Sequence, residues 1–216
     1  MADINEPISY SKNSTEFICK KKSTENFSHT QWDEENLKTV RKEIRDYYRM
    51  KQNGCCVYCR NELSITSPIN CHIEHIAPKS RYLNFIFEPR NLCVVCADCN
   101  TIKKDKEIKN ECENTISSSA KLYPRSSKAF SVYHPHFDFW KDHIVKFNGE
   151  IYADLTDKGA NTIRICRLNR RLRKFGINEQ IISNLDKFHL MNKIIEENKI
   201  EKFKDFLNKI VIVIII

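Results

Sequence analysis

Residues 93–103 read CVVCADCNTIK, and within them Cys96 and Cys99 are separated by two residues. The same C-x-x-C spacing occurs at Cys56 and Cys59. Two such pairs can supply four thiolates to one tetrahedral zinc ion, and the segment between them has few other residues from which to build a core. The spacing therefore predicts a closed, structural zinc site, followed by a helix that begins near Cys96.

The register of this zinc site has alternatives. Cys55 precedes Cys56 directly, and Cys93 forms a third C-x-x-C pair with Cys96. We favour Cys56 because its spacing to Cys59 suits a knuckle turn, and Cys99 because of the residues around it. The competing hypothesis is that some of these residues are buried free thiols. Ten cysteines in a chain without a secretion signal favour reduced thiols and metal ligands over disulfides.

A second unusual stretch lies upstream, where residues 71–80 read CHIEHIAPKS. Residues 88–103 continue the pattern as EPRNLCVVCADCNTIK. The chain thus contains, in order, an acid–histidine pair, Asn-Leu, and C-x-x-C followed by Asn-x-x-Lys. This combination, over about residues 55–107, resembles the HNH endonuclease family, which implies a ββα-metal core of α+β class.

The resemblance implies a role for each matching residue. His75 corresponds to the general base, and Glu74 to the acid that binds the catalytic metal. Asn91 corresponds to the residue that braces the loop, Asn100 to a second metal ligand, and Lys103 to a lysine that contacts phosphate. Most family members have Asp before the histidine, whereas this chain has Glu, which is one methylene longer.

Elementary chemistry agrees with these roles. Glutamate and asparagine supply oxygen ligands, which suit Mg²⁺ or Mn²⁺. A histidine near its ordinary pKa can activate water at neutral pH. Adjacent strand residues point to opposite faces, so Glu74 and His75 can act on one phosphate only if the strand bends there. The predicted reaction is metal-dependent hydrolysis of a phosphodiester. The alternative is a zinc-knuckle subunit that binds nucleic acid or a protein partner without cleaving.

The overall charge indicates the substrate class. A formal net charge of +8 and a pI of about 8.9 favour a polyanion, and we expect double-stranded DNA. The cationic side chains that we expect to contact nucleic acid lie after the histidine motif, at the end of the cysteine motif and in a basic stretch further on. They are Lys79, Lys103, Lys104, Arg170, Arg171 and Arg173.

Composition and periodicity divide the chain into four parts. A polar arm that is flexible or loosely docked is followed by a packing helix, the nuclease core and a long C-terminal extension. The predicted bounds are 1–29, 30–54, 55–110 and 111–216. The extension contains a predicted hairpin at 146–152, a basic helix at 160–174, an amphipathic helix at 178–210 and an Ile/Val tail at 210–216.

Residues 158–163, KGANTI, and 167–170, RLNR, are similar to the tail of HNH proteins from bacterial anti-phage systems of the Septu kind. In those systems a small HNH subunit works with an ATPase, so the resemblance implies an ATPase partner. The chain contains no apolar run of membrane-spanning length and no signal peptide, so we expect a cytoplasmic protein without a membrane partner.

Three further histidines leave alternatives open. His72 has the same strand parity as Glu74 and could support the metal, although a surface or packing role is the simpler interpretation. His134 and His136 lie in the aromatic stretch YHPHFDFW of residues 133–140. That stretch could form a second metal site or a wedge into DNA, and the simpler interpretation is a packed aromatic turn.

Overall fold

A computed structural model describes residues 2–106, 108, 119–147 and 150–176. The chain divides into two compact units, Met1–Leu168 and Asn169–Ile216. The first unit is a mixed α+β structure with two small two-stranded sheets. This agrees with the predicted fold class at the level of α+β.

The centre of the first unit is an antiparallel pair of strands followed by a helix. Strand β1, His72–His75, pairs with β2, Leu92–Val95, with His72 opposite Val95 and His75 opposite Leu92. Strand β2 reads LCVV and is buried throughout, as expected for a run of apolar and β-branched residues. Helix α3, Ala97–Lys103, has Cys96 as its N-cap, which confirms the predicted start of this helix.

The N-terminal segment differs from its prediction as a loosely docked arm over 1–29. Helix α1 spans Lys12–Lys22, and Ile4, Ile8 and Ile18 are buried in the core. The backbone N–H of Ile4 also donates to the carbonyl of Pro135. The prediction was wrong because single isoleucines among polar residues show no local periodicity, although each fills a site in a core built by distant parts of the chain.

The predicted packing helix over 30–54 begins later than expected. Two short 3₁₀ turns, His29–Asp33 and Glu35–Leu37, precede helix α2, Lys38–Lys51. Helix α2 buries Val40, Ile44 and Tyr48 on one face, as the helical spacing predicted. The chain leaves the helix through Gly54, whose φ of +67° is readily accessible to glycine.

The C-terminal extension contains the predicted hairpin, formed by β3, Ile144–Phe147, and β4, Ile151–Asp154. Its turn residues 148–149 lie outside the described residues. The predicted basic helix over 160–174 is not continuous. Helix α4 spans Asp157–Cys166 and ends at Arg167, which adopts a left-handed conformation with φ 46° and ψ 54°. The N–H of Leu168 then donates to the carbonyl of Ile163, closing the helix end.

The second unit contains, in its described part, helix α5, Arg170–Phe175. The predicted amphipathic helix at 178–210 and the Ile/Val tail at 210–216 lie outside the described residues. Within the parts of the chain that the structure describes, none of the helices combines the length and apolar character needed to cross a bilayer.

Candidate metal centre and active site

Four cysteines from two distant segments meet in the first unit. The sulfur atoms of Cys56, Cys59, Cys96 and Cys99 all lie within 4.8 Å of one another, and all four residues are buried. Among the described residues, no other group of three or more His, Cys, Asp or Glu side chains is close enough to hold a metal ion. The predicted set of four is therefore confirmed as a cluster that could bind a metal such as zinc.

The other candidate cysteines lie outside this cluster. Cys93 is on β2, opposite Glu74 in the sheet, and is fully buried. Burial raises the pKa of its thiol well above the ordinary value. Cys55 is half-buried, and its backbone forms an isolated antiparallel β-bridge with Glu62. The alternative registers through Cys55 or Cys93 therefore do not match the arrangement of the sulfur atoms.

A glutamine that the sequence did not indicate ties the first cysteine pair to the sheet. The side chain of Gln52, which is buried, donates to the carbonyls of Cys55 and Val94 and accepts from the Val94 N–H at 2.8 Å. The N–H of Val57 donates to the same Val94 carbonyl at 3.2 Å. Because Cys96, the N-cap of α3, directly follows β2, the cysteine cluster brings together the first cysteine pair, the sheet and the start of α3.

A cavity of about 580 Å³ lies beside the sheet. Five of the predicted catalytic, metal-binding and nucleic-acid-binding residues line it, and they come from β1, from the loop after β1, from α3 and from its C-cap. They are Glu74, His75, Lys79, Asn100 and Lys104. Glu74 and His75 are adjacent on β1, and both line the cavity, as do His72 and Ile73 before them on the strand.

The side chain of His75 is held in one orientation. Its Nε2 lies 3.0 Å from the carbonyl oxygen of Ile86, and its ring meets the Trp32 ring edge-on at 4.5 Å. A carbonyl oxygen can only accept a hydrogen bond, so Nε2 carries the proton and Nδ1 has the lone pair. Burial, with a smaller contribution from the Lys79 charge, lowers the pKa of His75 to about 3. The ring is therefore neutral at physiological pH, and its pKa lies well below the ordinary value expected from the sequence.

Glu74 is buried and paired with a lysine. Its Oε1 lies 2.5 Å from Nζ of Lys103, and the Tyr58 hydroxyl lies 3.5 Å from the same oxygen. Burial raises the pKa of Glu74, and the Lys103 charge opposes that increase. The contacts of Oε1 leave Oε2 as the oxygen that could bind a metal ion.

The position of Lys103 contradicts its predicted contact with phosphate. Its side chain is fully buried, and its Nζ also donates to the carbonyl of His75 at 3.2 Å. The spacing in Asn-x-x-Lys correctly placed Lys103 on α3, but α3 packs against β1, and this side of the helix faces the sheet rather than solvent. Lys103 therefore binds the side chain of Glu74 and the backbone carbonyl of His75 from within the core.

Asn91 braces the loop between β1 and β2 from inside. Its Oδ1 accepts from the N–H of Ala77 at 2.7 Å, and its Nδ2 donates to the carbonyls of Ala77 and Phe85, both at 3.0 Å. The Tyr123 hydroxyl adds a fourth bond to Oδ1 at 3.1 Å. Asn91 is fully buried, so it acts on the cavity through the loop that carries Ile86 and not by contact with a ligand.

Asn100, Lys79 and Lys104 line the cavity and are less buried than Glu74 and His75. Asn100 is half-buried on α3, and its side chain forms no hydrogen bond to any described residue, so its amide oxygen can bind a ligand. Lys79 is half-buried and Lys104 is exposed. Arg170, Arg171 and Arg173 lie on α5 in the second unit, and their contact with nucleic acid stays a prediction.

The three additional histidines have packing or backbone partners. His134 stacks on Phe137 with ring centroids 4.4 Å apart, and His136 Nε2 lies 2.9 Å from the Leu92 carbonyl. Both are buried in an aromatic turn, in agreement with the simpler interpretation. His72 lines the cavity, with its Nε2 2.8 Å from the Ile69 carbonyl.

Four further residues of the cavity wall were not anticipated from the sequence. His29, Trp32, Arg41 and Arg45 come from the 3₁₀ turn before α2 and from α2 itself. They share no motif. The packing of α2 against β1 and β2 brings the two arginines to the cavity, and Trp32 packs there against His75. A comparison of the chain with models of protein families, with curated proteins and with solved structures found no match.

The buried Lys103–Glu74 pair gives a prediction for stability. Lys103→Met keeps the apolar stem but leaves the Glu74 carboxylate without its counter-charge, so we expect a loss of about 3–5 kcal/mol in the free energy of unfolding. Urea denaturation measures this loss. The matched control is Lys104→Met, because its side chain is exposed, and its expected effect is within about 0.5 kcal/mol. Equal stability of the two variants would contradict the pairing.

Proposed function

We propose that this chain is a metal-dependent endonuclease of the HNH kind that hydrolyses phosphodiester bonds in double-stranded DNA. The observation that carries the proposal is the convergence of Glu74, His75 and Asn100 on one cavity, with Lys79 and Lys104 beside them. An acid, a neutral histidine and an amide oxygen next to cationic side chains are the groups that this reaction needs. The ββα order of β1, β2 and α3 supports the same family.

His75 is the proposed general base. Its neutral ring presents Nδ1 as a proton acceptor, while the Ile86 carbonyl fixes the other nitrogen. In the proposed reaction a water oxygen forms a bond to phosphorus, its proton passes to Nδ1, and the bond from phosphorus to the 3′ oxygen breaks. The carbonyl contact and the edge contact with Trp32 keep the ring from rotating, which pre-organises the transfer.

Glu74 Oε2 and the Asn100 amide oxygen are the proposed ligands of a divalent cation. Two protein oxygens with the remaining positions filled by water suit Mg²⁺, and Mn²⁺ accepts a similar set. Such an ion would neutralise charge on the phosphate and the leaving oxygen. Lys103 leaves room for this arrangement because it contacts Oε1 and the backbone of His75.

The cysteine cluster is the proposed structural zinc site. Four thiolates in a closed, buried set match the ligand type and number of structural zinc, and leave no position for a substrate. Its role in the proposal is to hold the start of α3 against the sheet, which sets the position of Asn100.

Residues 158–163 and 167–170 carry the similarity to the Septu kind of anti-phage system, and on that similarity we propose a role in bacterial defence with an ATPase partner in the cytoplasm. This setting is independent of the chemistry at the cavity, because the nuclease proposal depends on Glu74, His75 and Asn100.

A plasmid-nicking assay with the full chain tests the proposed function. We expect supercoiled DNA to be converted to nicked and linear forms with Mg²⁺ or Mn²⁺, and to remain supercoiled with EDTA, which removes the catalytic cation. Gel shift in EDTA measures binding separately. Binding of DNA without cleavage under any divalent cation would favour a non-catalytic nucleic-acid-binding subunit, and absence of both would favour a partner-binding role.

A further inference from the structure

Helix α2 forms one wall of the cavity through two arginines. Arg41 and Arg45 are four residues apart, so they lie one above the other on the same helix face. Both line the cavity that contains Glu74 and His75. This wall comes from a part of the chain outside the cysteine and histidine motifs.

Each arginine is anchored by only part of its guanidinium group. Arg41 donates through Nη1 to the carbonyls of Trp32 and Glu34, and Arg45 donates through Nε to the carbonyl of Cys71 at 2.9 Å. Among the described residues, no carboxylate lies within ion-pair distance of either group. In each guanidinium group one nitrogen is therefore held by the backbone and two are available to donate to a ligand. The available nitrogens are Nη1 and Nη2 of Arg45, and Nε and Nη2 of Arg41.

The charges around the cavity favour an extended anion. Among the residues that the structure describes, Lys79 and Lys104 line it together with the two arginines, which makes four cations. The described acids that line it are Asp33, Glu74 and Asp105, and Glu74 is already neutralised by Lys103. A single phosphate would not need cations from α2 as well as from the loop after β1 and the end of α3, whereas a nucleic-acid backbone presents several phosphates.

We infer that Arg41 and Arg45 bind two backbone phosphates near the scissile one, one each, so that α2 forms one side of the nucleic-acid cleft and Lys79 and Lys104 contribute the rest of its positive charge. This inference rests on the proposed function. The planar guanidinium groups suit bidentate contact with phosphate oxygens, and their backbone anchors reduce the entropy lost on binding. Their role is to position the substrate.

The test compares glutamine variants on one helix. The full chain is incubated in EDTA with a fluorescent DNA duplex, and anisotropy is measured over a range of salt concentrations. The double variant Arg41→Gln with Arg45→Gln is expected to bind about 10–100-fold more weakly and to lower the steepness of log K against log salt by about 2, one for each cationic side chain removed from the phosphate backbone. In Mg²⁺ its KM for cleavage should rise with little change in kcat.

The matched control is Lys42→Gln. Lys42 is on the same helix, exposed and paired with Asp46 at 2.6 Å, so we expect wild-type affinity and salt dependence. Arg45→Gln alone serves as the test if loss of the Arg41 hydrogen bonds disturbs the fold. It should lower the steepness of log K against log salt by about 1. Metal content and melting temperature establish that each variant is folded.

The outcomes separate the inference from the proposed function. If the wild type binds and cleaves DNA but Arg45→Gln keeps its affinity and salt dependence, the inference is wrong and the nuclease proposal stands. If the wild type neither binds nor cleaves DNA, the nuclease proposal itself is wrong, and the inference fails with it. Weaker binding by the arginine variants with an unchanged Lys42→Gln supports the inference.

Discussion

His75→Ala is expected to reduce DNA cleavage by about 10³-fold or more while leaving the fold and the zinc proposed at the cysteine cluster in place. General-base catalysis contributes about 10²–10⁴-fold, and loss of the ring also removes the group that orients the attacking water. The substitution removes the hydrogen bond to the Ile86 carbonyl and the edge packing against Trp32. We expect this to cost about 1–3 kcal/mol of stability, which a folded domain can tolerate.

Single-turnover cleavage of a plasmid in Mg²⁺ measures this effect, and binding of the same DNA in EDTA should be unchanged. The matched control is His72→Ala, because His72 lies on the same strand and lines the same cavity. We expect its cleavage rate to stay within a few-fold of wild type. A wild-type rate for His75→Ala, or an equal loss in both variants, would remove His75 as the base.

Cys99→Ser and Cys59→Ser are expected to lose the zinc proposed at the cysteine cluster and with it the ordered start of α3. Binding of structural zinc to four thiolates contributes about 10–16 kcal/mol in small zinc domains, which is similar to the whole stability of a typical domain. Cys96 Sγ also accepts from the N–H of Cys99 at the N-cap of α3, so the cluster and the helix start are one structure. Elemental analysis and hydrogen exchange of residues 96–103 are the measurements.

Three other cysteines serve as controls for the cluster. Cys55→Ser, Cys71→Ser and Cys93→Ser should each retain about one zinc per chain, because their sulfur atoms lie outside the group of four. Cys93→Ser is expected to lower stability, since it places a hydroxyl in a fully buried position, without loss of metal. Loss of zinc from Cys55→Ser or Cys93→Ser, with retention in Cys56→Ser or Cys99→Ser, would contradict the cluster as the zinc site.

The residues that could be placed from the sequence belong to short patterns whose geometry is local. C-x-x-C spacing brings two sulfurs to one side of a turn, so the two pairs predicted the cluster of four. The start of α3 at Cys96 and the hairpin near residue 147 followed for the same reason, since both depend on the conformations of a few neighbouring residues. The sequence also predicted that the acid–histidine pair lies on a strand and acts together with Asn100. All three residues line one cavity.

The tertiary structure alone decided the surroundings of these residues. The family resemblance implied that Lys103 contacts phosphate, but packing of α3 against β1 buries it and makes it the partner of Glu74. Arg41 and Arg45 carry no motif, and they reach the cavity because α2 packs on both strands of the sheet. Sequence by itself determined which groups can react or bind a metal, because that is a property of residue type and close spacing. Which face of each helix meets the cavity depended on contacts between residues far apart in the chain, and short spacings carry no information about those contacts.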